Sequence, residues 1–204
     1  MRGMQRRQLL IGLGPAAVLG FANPLAAQAP PEPAARFAQR LREGGVAVLL
    51  RHAITEPGVG DPPGFKPGEC GTQRNLSAEG REQALRIGAW FASRGLVPAA
   101  VRASAWCRCI DTAQLAFGRA TVWAPLSSSF GARSAHAPQH RPQLVEALGR
   151  IRPRAFEVWV THQTNITAWT GAGIAMGEGF VVAPPPGADR EAALPIAVRL
   201  WLGG

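Results

Sequence analysis

The sequence predicts an α/β fold, a three-layer α/β/α sandwich around a mostly parallel central sheet. Short apolar runs of the length of buried strands alternate along the chain with stretches that carry apolar residues at helical spacing. The clearest run, residues 46–50, is apolar at every position and lies between a glycine and an arginine. Such a run is typical of a strand that is buried on both faces. In these sheets ligands bind at the carboxyl ends of the strands, so functional residues are expected there.

The individual elements are bounded by residues that start or end them. Gly44 ends the first helix, Ser77 caps the second and Gly118 ends the third. Helices are predicted at residues 36–44, 77–94, 105–118, 142–151 and 165–173. Strands are predicted at residues 46–50, 99–104, 121–124, 155–161, 179–184 and 195–201. A long loop rich in glycine and proline separates the first strand from the second helix, and loops of that length are usually functional.

The start of the chain has the organisation of an export signal. Three arginines precede an apolar run at residues 9–22, which is followed by small residues at 25–29. This order predicts a signal peptide over residues 1–29, cleaved after residue 27 or 29, and one domain over residues 30–204. The apolar run is too short to span a bilayer comfortably, so no stable membrane span is expected after processing.

The basic residues of this segment allow two export routes. Arg6 and Arg7 directly precede the apolar run and resemble a twin-arginine signal, while a Sec signal with a basic start fits equally well. Both routes predict a periplasmic or secreted protein, where disulfides can persist. Cys70, Cys107 and Cys109 are the cysteines of the chain, and their odd number leaves at least one without an intrachain partner.

The charge of the chain does not indicate a nucleic-acid partner. The formal charge is +9, which falls to +6 when the three arginines of the signal are removed. Lys66 is the only lysine, the arginines are scattered, and no interleaving of basic and aromatic residues of the RNA-binding type is present. With 47% hydrophobic and 17% charged residues, the sequence predicts a packed core and no nucleic-acid binding.

Three predicted strands lead to basic or imidazole side chains. The first strand ends in Arg51 and His52, the second leads towards Arg108, and the fourth is followed by His162. In a parallel sheet these ends meet at one edge, and grouped positive side chains are costly to bury unless an anion joins them. Because arginine pairs with phosphate oxygens and a neutral histidine is a nucleophile towards phosphorus, this edge predicts a phosphate site.

Four motifs resemble the histidine phosphatase superfamily, also called phosphoglycerate-mutase-like. They are LLRHAIT, TQRNLSAEGREQA, SAWCRCIDTA and VTHQTNI, which occur in the order of that family between residues 49 and 166. The resemblance implies a phosphomonoester hydrolase, here outside the cytoplasm, that works through a phosphohistidine at His52. It implies that the phosphoryl oxygens are held by Arg51, Arg74, Asn75, Arg108 and His162.

The same resemblance implies no cofactor and no metal, since arginines supply the charge that stabilises phosphoryl transfer. The expected partner is a small phosphorylated substrate. A sugar phosphate, a lipopolysaccharide phosphate and a phosphoprotein all fit the sequence, and it makes no prediction of the oligomeric state. A disulfide from Cys70 to Cys107 or to Cys109 is expected if Arg74 and Arg108 share the pocket. It would stabilise the loop by about 2–4 kcal/mol.

The sequence departs from the family pattern in two places. Ala53 stands where the family usually has glycine after the nucleophile, which matters only if the backbone there needs a positive φ. The usual general acid is also missing, because residues 119–141 contain no Asp or Glu and Gln163 follows His162 where one branch has aspartate. Hydrolysis of an alkyl phosphate needs such an acid to protonate the leaving group.

Three explanations of the missing acid follow from the sequence. The preferred one is an acid from elsewhere, Glu69 first because it lies close to Arg74, with other candidates at Glu56, Asp61 and Glu178. Alternatively, the substrate has a good leaving group and needs no acid. The third explanation changes the class of function: a noncatalytic phosphate-binding or phospho-ligand-binding envelope protein that keeps the arginine pocket.

Overall fold

The computed structural model of the chain describes residues 32–130, 139–187 and 193–202. The predicted signal peptide lies outside the described residues. Within those ranges, no helix combines the length and the apolar character needed to cross a membrane.

One sheet forms the middle of the described domain, and its strands run in the order β3-β2-β4-β1-β5-β6. The strands are β1 (Val46–Arg51), β2 (Ala100–Ala103), β3 (Thr121–Val122), β4 (Phe156–Thr161), β5 (Glu178–Val182) and β6 (Ile196–Trp201). Neighbours pair in parallel from β3 to β1, whereas β5 is antiparallel to both β1 and β6. The sheet is therefore mostly parallel, with β5 as its reversed strand.

Helices cover both faces of this sheet. They are α1 (Pro33–Glu43), α2 (Ala78–Ala92), α3 (Cys107–Phe117), α4 (Arg141–Gly149) and α5 (Gln163–Thr170), with short 3-10 turns at Cys70–Thr72 and Ala124–Leu126. Helices α1, α2 and α3 pack on one face and α4 and α5 on the other. The predicted three-layer α/β/α architecture is confirmed.

The central strand β1 contributes to the core on both of its faces. Val46, Val48 and Leu50 pack on the side of α1 to α3, whereas Ala47 and Leu49 pack on the side of α4 and α5. All five side chains are fully buried. This alternation explains why the sequence shows an unbroken apolar run here instead of alternating polar and apolar residues.

The helix ends that border the site follow local sequence signals. The Ser77 side chain accepts a hydrogen bond from the Gly80 amide and caps α2, and Gly118 ends α3 in a left-handed conformation. Gly80 also allows α2 to lie directly against the chain that leaves β1, since a Cβ at this position would be 1.7 Å from the Ile54 carbonyl oxygen. The start of α2 is therefore packed against the segment that follows His52.

Candidate active site

The carboxyl ends of β1, β2 and β4 meet at one edge of the sheet. Arg51 pairs with Thr161 in the parallel register, and the His52 amide donates to the Thr161 carbonyl at 3.0 Å. The Ser104 amide donates to the Val160 carbonyl at 2.9 Å. These backbone bonds place His52 and the start of α3 beside the residue that follows β4.

His52 is buried and uncharged, with one ring nitrogen available for chemistry. Its Nδ1 lies 2.8 Å from the Ala53 carbonyl oxygen. A carbonyl only accepts, so Nδ1 carries the proton and Nε2 carries the lone pair. Burial first, and then the charges of the nearby arginines, lower the pKa of His52 to about 3, although the hydrogen bond to Ala53 opposes this. Nε2 is therefore unprotonated at neutral pH, with its lone pair free.

The alanine that replaces the family glycine fits its position without strain. Ala53 is fully buried, and its amide donates to Thr112 Oγ1 at 3.0 Å. Among the described residues other than glycine, Arg154 alone has a positive φ. The backbone at Ala53 thus needs no glycine.

His162 faces His52 across the cleft. The two ring centroids are 5.5 Å apart. The His162 Nε2 lies 2.8 Å from Ser104 Oγ, and Nδ1 lies 3.4 Å from Arg108 Nη2. Burial first, and then the neighbouring His52 and the arginines, lower the pKa of His162 well below its usual value. Two neutral imidazoles therefore stand side by side among positive charges.

Three arginines among the described residues line the cleft beside these histidines, and each has a buried Nε without a hydrogen-bond partner in the described part of the chain. Nη1 of Arg51 donates to the Ile174 carbonyl at 2.8 Å, and Nη1 of Arg74 donates to the Gly58 carbonyl at 2.6 Å. The Nε atoms of Arg51, Arg74 and Arg108 are buried and have no hydrogen-bond partner among the described residues. Buried donors without a partner are unfavourable, so this cluster is built to receive an anion.

The positive charges of these arginines also repel one another. Burial, followed by the charges of Arg74 and Arg108, lowers the pKa of Arg51. Burial and the charge of Arg108 likewise lower the pKa of Arg74, although Asp61 opposes this. An anion among them would remove this repulsion, which is the arrangement expected of a phosphate site.

The histidines and arginines line a cleft of about 400 Å³. Its other walls combine polar residues, such as Gln163 and Thr164, with the apolar Val59, Phe130 and Met176. Val59 is 87% exposed and Phe130 is 46% exposed. The cleft therefore has a charged end at His52 and an apolar rim that can contact the rest of a ligand.

The structure places Glu69, the preferred candidate for the general acid, outside the cleft. Glu69 is exposed, forms a 3.3 Å ion pair with Lys66 and does not line the cleft. Its carbonyl accepts from the amide and hydroxyl of Thr72, which fixes a tight turn on the surface. Asn75 is likewise not among the residues that line the cleft, and its Nδ2 donates to the Cys70 carbonyl at 2.7 Å.

The remaining acid candidates are also unsuited to donate a proton. Glu56 is exposed outside the cleft, and Glu178 is engaged by the Ala175 amide and Arg199. Asp61 is the one carboxyl group among the described residues that line the cleft. Burial raises its pKa, but hydrogen bonds and the charge of Arg108 lower it more, so the net pKa is below its usual value. Asp61 is an ionised partner of Arg108.

No protein-family model and no curated protein matches the sequence, but solved structures match the fold. A mycobacterial glucosyl-3-phosphoglycerate phosphatase is 18% identical, with a TM-score of 0.52 over 79% of this chain and 100% of that chain. A phosphoserine phosphatase from Entamoeba histolytica is 13% identical, with a TM-score of 0.51 over 76% of this chain and 95% of that chain. The protein histidine phosphatase SixA bound to tungstate is 10% identical, with a TM-score of 0.50 over 77% of this chain and 97% of that chain.

This chain has the histidine phosphatase fold. The resemblance that the four motifs predicted is confirmed at the level of the fold. In this histidine phosphatase fold, the motif residues at the ends of β1 and β4 and at the start of α3 lie around one cleft.

A disulfide fastens the long loop of this histidine phosphatase fold to α3. Cys70 is bonded to Cys107, one of the two pairings that the sequence left open, and Cys109 is free and buried. Burial raises the pKa of the Cys109 thiol to about 12. Since Cys107 directly precedes Arg108, the bridge holds the loop that carries Asp61 and Arg74 against the start of α3.

Sequence reasoning missed a tryptophan that contacts two residues of the cleft. Trp106 Nε1 donates to Asp61 Oδ2 at 2.9 Å, and the Trp106 ring lies against His162 with centroids 5.6 Å apart. Trp106 lies within one of the four motifs, but no rule of spacing relates it to a loop residue 45 positions earlier. The apolar rim was missed for the same reason, because its residues come from separate loops.

Proposed function

We propose that this chain hydrolyses phosphomonoesters through a phosphohistidine at His52. The observation that carries the proposal is a cleft shared by an unprotonated His52 and three arginines whose buried Nε atoms have no partner among the described residues. Simple phosphate binding requires the arginines but gives no reason for a neutral imidazole with its lone pair free at their centre. The nucleophile and the three arginines together support a phosphoryl-transfer site.

The reaction proceeds in two steps at this site. First, the His52 Nε2 lone pair forms a bond to phosphorus, while the ester P–O bond breaks and its electron pair leaves with the alcohol oxygen. Arg51, Arg74 and Arg108 stabilise the charge on the equatorial phosphoryl oxygens. Then water attacks phosphorus, the N–P electron pair returns to Nε2, the water proton passes to solvent, and inorganic phosphate leaves.

The ionised state of Asp61 determines which substrates suit the first step. An alkoxide needs a proton as it leaves, and no carboxyl group among the described residues of the cleft is available to supply one. An aryl oxide, or another group of low basicity, leaves without that help. We therefore expect substrates with good leaving groups, whose apolar part contacts the rim at Val59 and Phe130.

The proposal places the enzyme outside the cytoplasm, because the basic, apolar and small-residue segments at residues 1–29 support export. Recovery of the full-length protein in a periplasmic fraction or in the medium tests the location.

The second candidate function is a noncatalytic phosphate-binding envelope protein. The observation that favours it is the commitment of Asp61 to Arg108, which leaves the described cleft without an acid.

The test compares an aryl phosphate with an alkyl phosphate on the chain from residue 30, beside the His52→Ala variant. We expect turnover of para-nitrophenyl phosphate, a rate on glycerol phosphate lower by at least a hundredfold, and loss of both in the variant. Acid-labile, base-stable labelling of His52 by radioactive substrate would identify the phosphohistidine. Phosphate binding without turnover of either ester in the folded parent protein would refute the hydrolase and favour the binding protein.

A further inference from the structure

Asp61 is held in the cleft by four hydrogen-bond donors. Its Oδ1 accepts from Arg108 Nη1 at 2.6 Å and from the Arg74 amide at 3.2 Å. Its Oδ2 accepts from the Trp106 indole at 2.9 Å and from Arg108 Nη2 at 3.4 Å. The side chain is 6% exposed. A carboxylate with both oxygens satisfied and almost no contact with water is fixed in place.

The contacts of Arg108 divide its guanidinium group into an occupied side and a free edge. Nη1 is occupied by Asp61 and by the Arg74 carbonyl at 3.3 Å. Nε is buried with no partner among the described residues, and Nη2 makes only long contacts, 3.4 Å to Asp61 and 3.4 Å to His162. The Nε–Nη2 edge is therefore the part of Arg108 left to form a paired hydrogen bond with two oxygens.

We propose that Asp61 is a positioning residue that turns this edge of Arg108 towards the phosphoryl group on His52. Asp61 acts through Arg108 and does not itself contact the substrate. The inference rests on the proposed function, because it assumes a phosphoryl group between Arg108 and His52. Through Asp61 and Arg108, the loop between β1 and α2 therefore influences phosphate affinity.

The balance of charge in the cleft supports a permanent contact between Asp61 and Arg108. Among the described residues, three arginines and one aspartate line the cleft, which leaves two positive charges to meet a phosphate monoester of nearly two negative charges. A competing arrangement has Asp61 occupy the place of the phosphate and leave when substrate binds. If Asp61 left, it would lose its hydrogen bonds from the Trp106 indole and from the Arg74 amide. Neither of these two bonds involves Arg108.

The test measures the Kd for inorganic phosphate by calorimetry and the kinetics on para-nitrophenyl phosphate. We expect Asp61→Asn to raise the Kd by at least tenfold and to raise KM more than it lowers kcat. Trp106→Phe removes one donor of Asp61, keeps the ion pair, and should weaken phosphate binding about threefold. The matched control is Asp111→Asn, which removes a carboxylate of α3 that pairs with Arg81 at 3.3 Å on the surface, and should change nothing.

A double-mutant cycle separates positioning from a general structural effect. Lysine lacks the planar pair of N–H groups that Asp61 would orient. In the Arg108→Lys background, Asp61→Asn should therefore change the Kd for phosphate less than twofold. An equal loss in both backgrounds would overturn the proposal. Tighter phosphate binding in Asp61→Asn would also overturn it and would show that Asp61 competes with substrate. Loss of alkyl ester turnover alone would make Asp61 the acid instead.

The proposed function and this inference fail in different ways. Absence of turnover by the folded parent protein refutes the hydrolase, while the phosphate Kd of the variants still decides the role of Asp61. If Asp61→Asn does not fold, Trp106→Phe decides it: unchanged phosphate binding in that variant would overturn the proposal.

Discussion

The reactivity of His52 depends on a single backbone hydrogen bond. The Ala53 carbonyl fixes the proton on Nδ1, and burial lowers the pKa of the ring to about 3. Nitrogen-15 NMR of the His52 imidazole should therefore show a protonated Nδ1 and an unprotonated Nε2 throughout pH 5 to 8 in phosphate-free buffer. Protonation near the ordinary histidine pKa of about 6.5 would contradict the assignment of Nε2 as a ready nucleophile.

Residues that end strands were predictable from the sequence, but their partners were not. The positions of Arg51, His52 and His162 follow from two parallel strands, and the alternation of strands and helices along the sequence predicts that these strands are parallel. Glu69 does not line the cleft, because closeness in sequence to Arg74 does not give the direction of a side chain within a turn. Asp61 comes from the same loop, and only the folded path of that loop brings it to Arg108.

At the scale of elements, the loop between β1 and α2 is part of the site because of its disulfide. The Cys70–Cys107 bridge spans 37 residues and joins the loop to the first residue of α3. The loop contributes Asp61 and Arg74 to the cleft, so its attachment fixes two of the charged groups of the cleft. Its length and composition predicted a functional loop, whereas its route depends on tertiary contacts that no local pattern encodes.

Thiol titration tests this connection. With an aromatic disulfide reagent and no reductant, the native protein should show no reactive thiol, since Cys109 is buried and burial raises its pKa to about 12. Unfolding should expose one thiol, and unfolding with reductant three. Three thiols in the unreduced protein would rule the bridge out.

Removal of the bridge should affect both stability and the site. Cys70→Ser with Cys107→Ser should lower the free energy of unfolding by about 2–4 kcal/mol and raise KM, because the loop loses its attachment to α3. Cys109→Ala keeps the bridge and is the matched control. A KM unchanged from the parent would show that packing alone holds the loop.

The edges of the elements were less predictable than their centres. The first helix begins at Pro33, three residues before the predicted start, because proline suits the first turn of a helix. The third strand contains only Thr121 and Val122, both exposed at the edge of the sheet, where pairing ends without a core to extend it. Central strands and the helices packed on them were predicted well, since burial imposes the apolar patterns that the sequence displays.

At the scale of the whole molecule, the same burial that activates the site makes folding sensitive to acid. His52 and His162 are uncharged in the fold, with pKa values below that of an exposed histidine. Between pH 6.5 and about 3 the unfolded chain therefore binds protons that the fold excludes, so the free energy of unfolding rises with pH across this window. Acidification from pH 6.5 shifts the balance towards the unfolded chain.

Urea unfolding at pH 7, 6 and 5, in buffers free of phosphate, measures this dependence. The free energy of unfolding should fall on acidification by up to about 1.4 kcal/mol per pH unit for each of the two histidines. Replacing one of them, as in His52→Gln, should make the dependence shallower, because glutamine takes up no proton in either state. Added phosphate should restore stability at each pH, since an anion that binds only the folded cleft stabilises it by mass action. A free energy of unfolding that stays constant from pH 7 to 5 would mean that both imidazoles take up protons in the folded protein. The assignment of His52 as a neutral nucleophile would then be wrong.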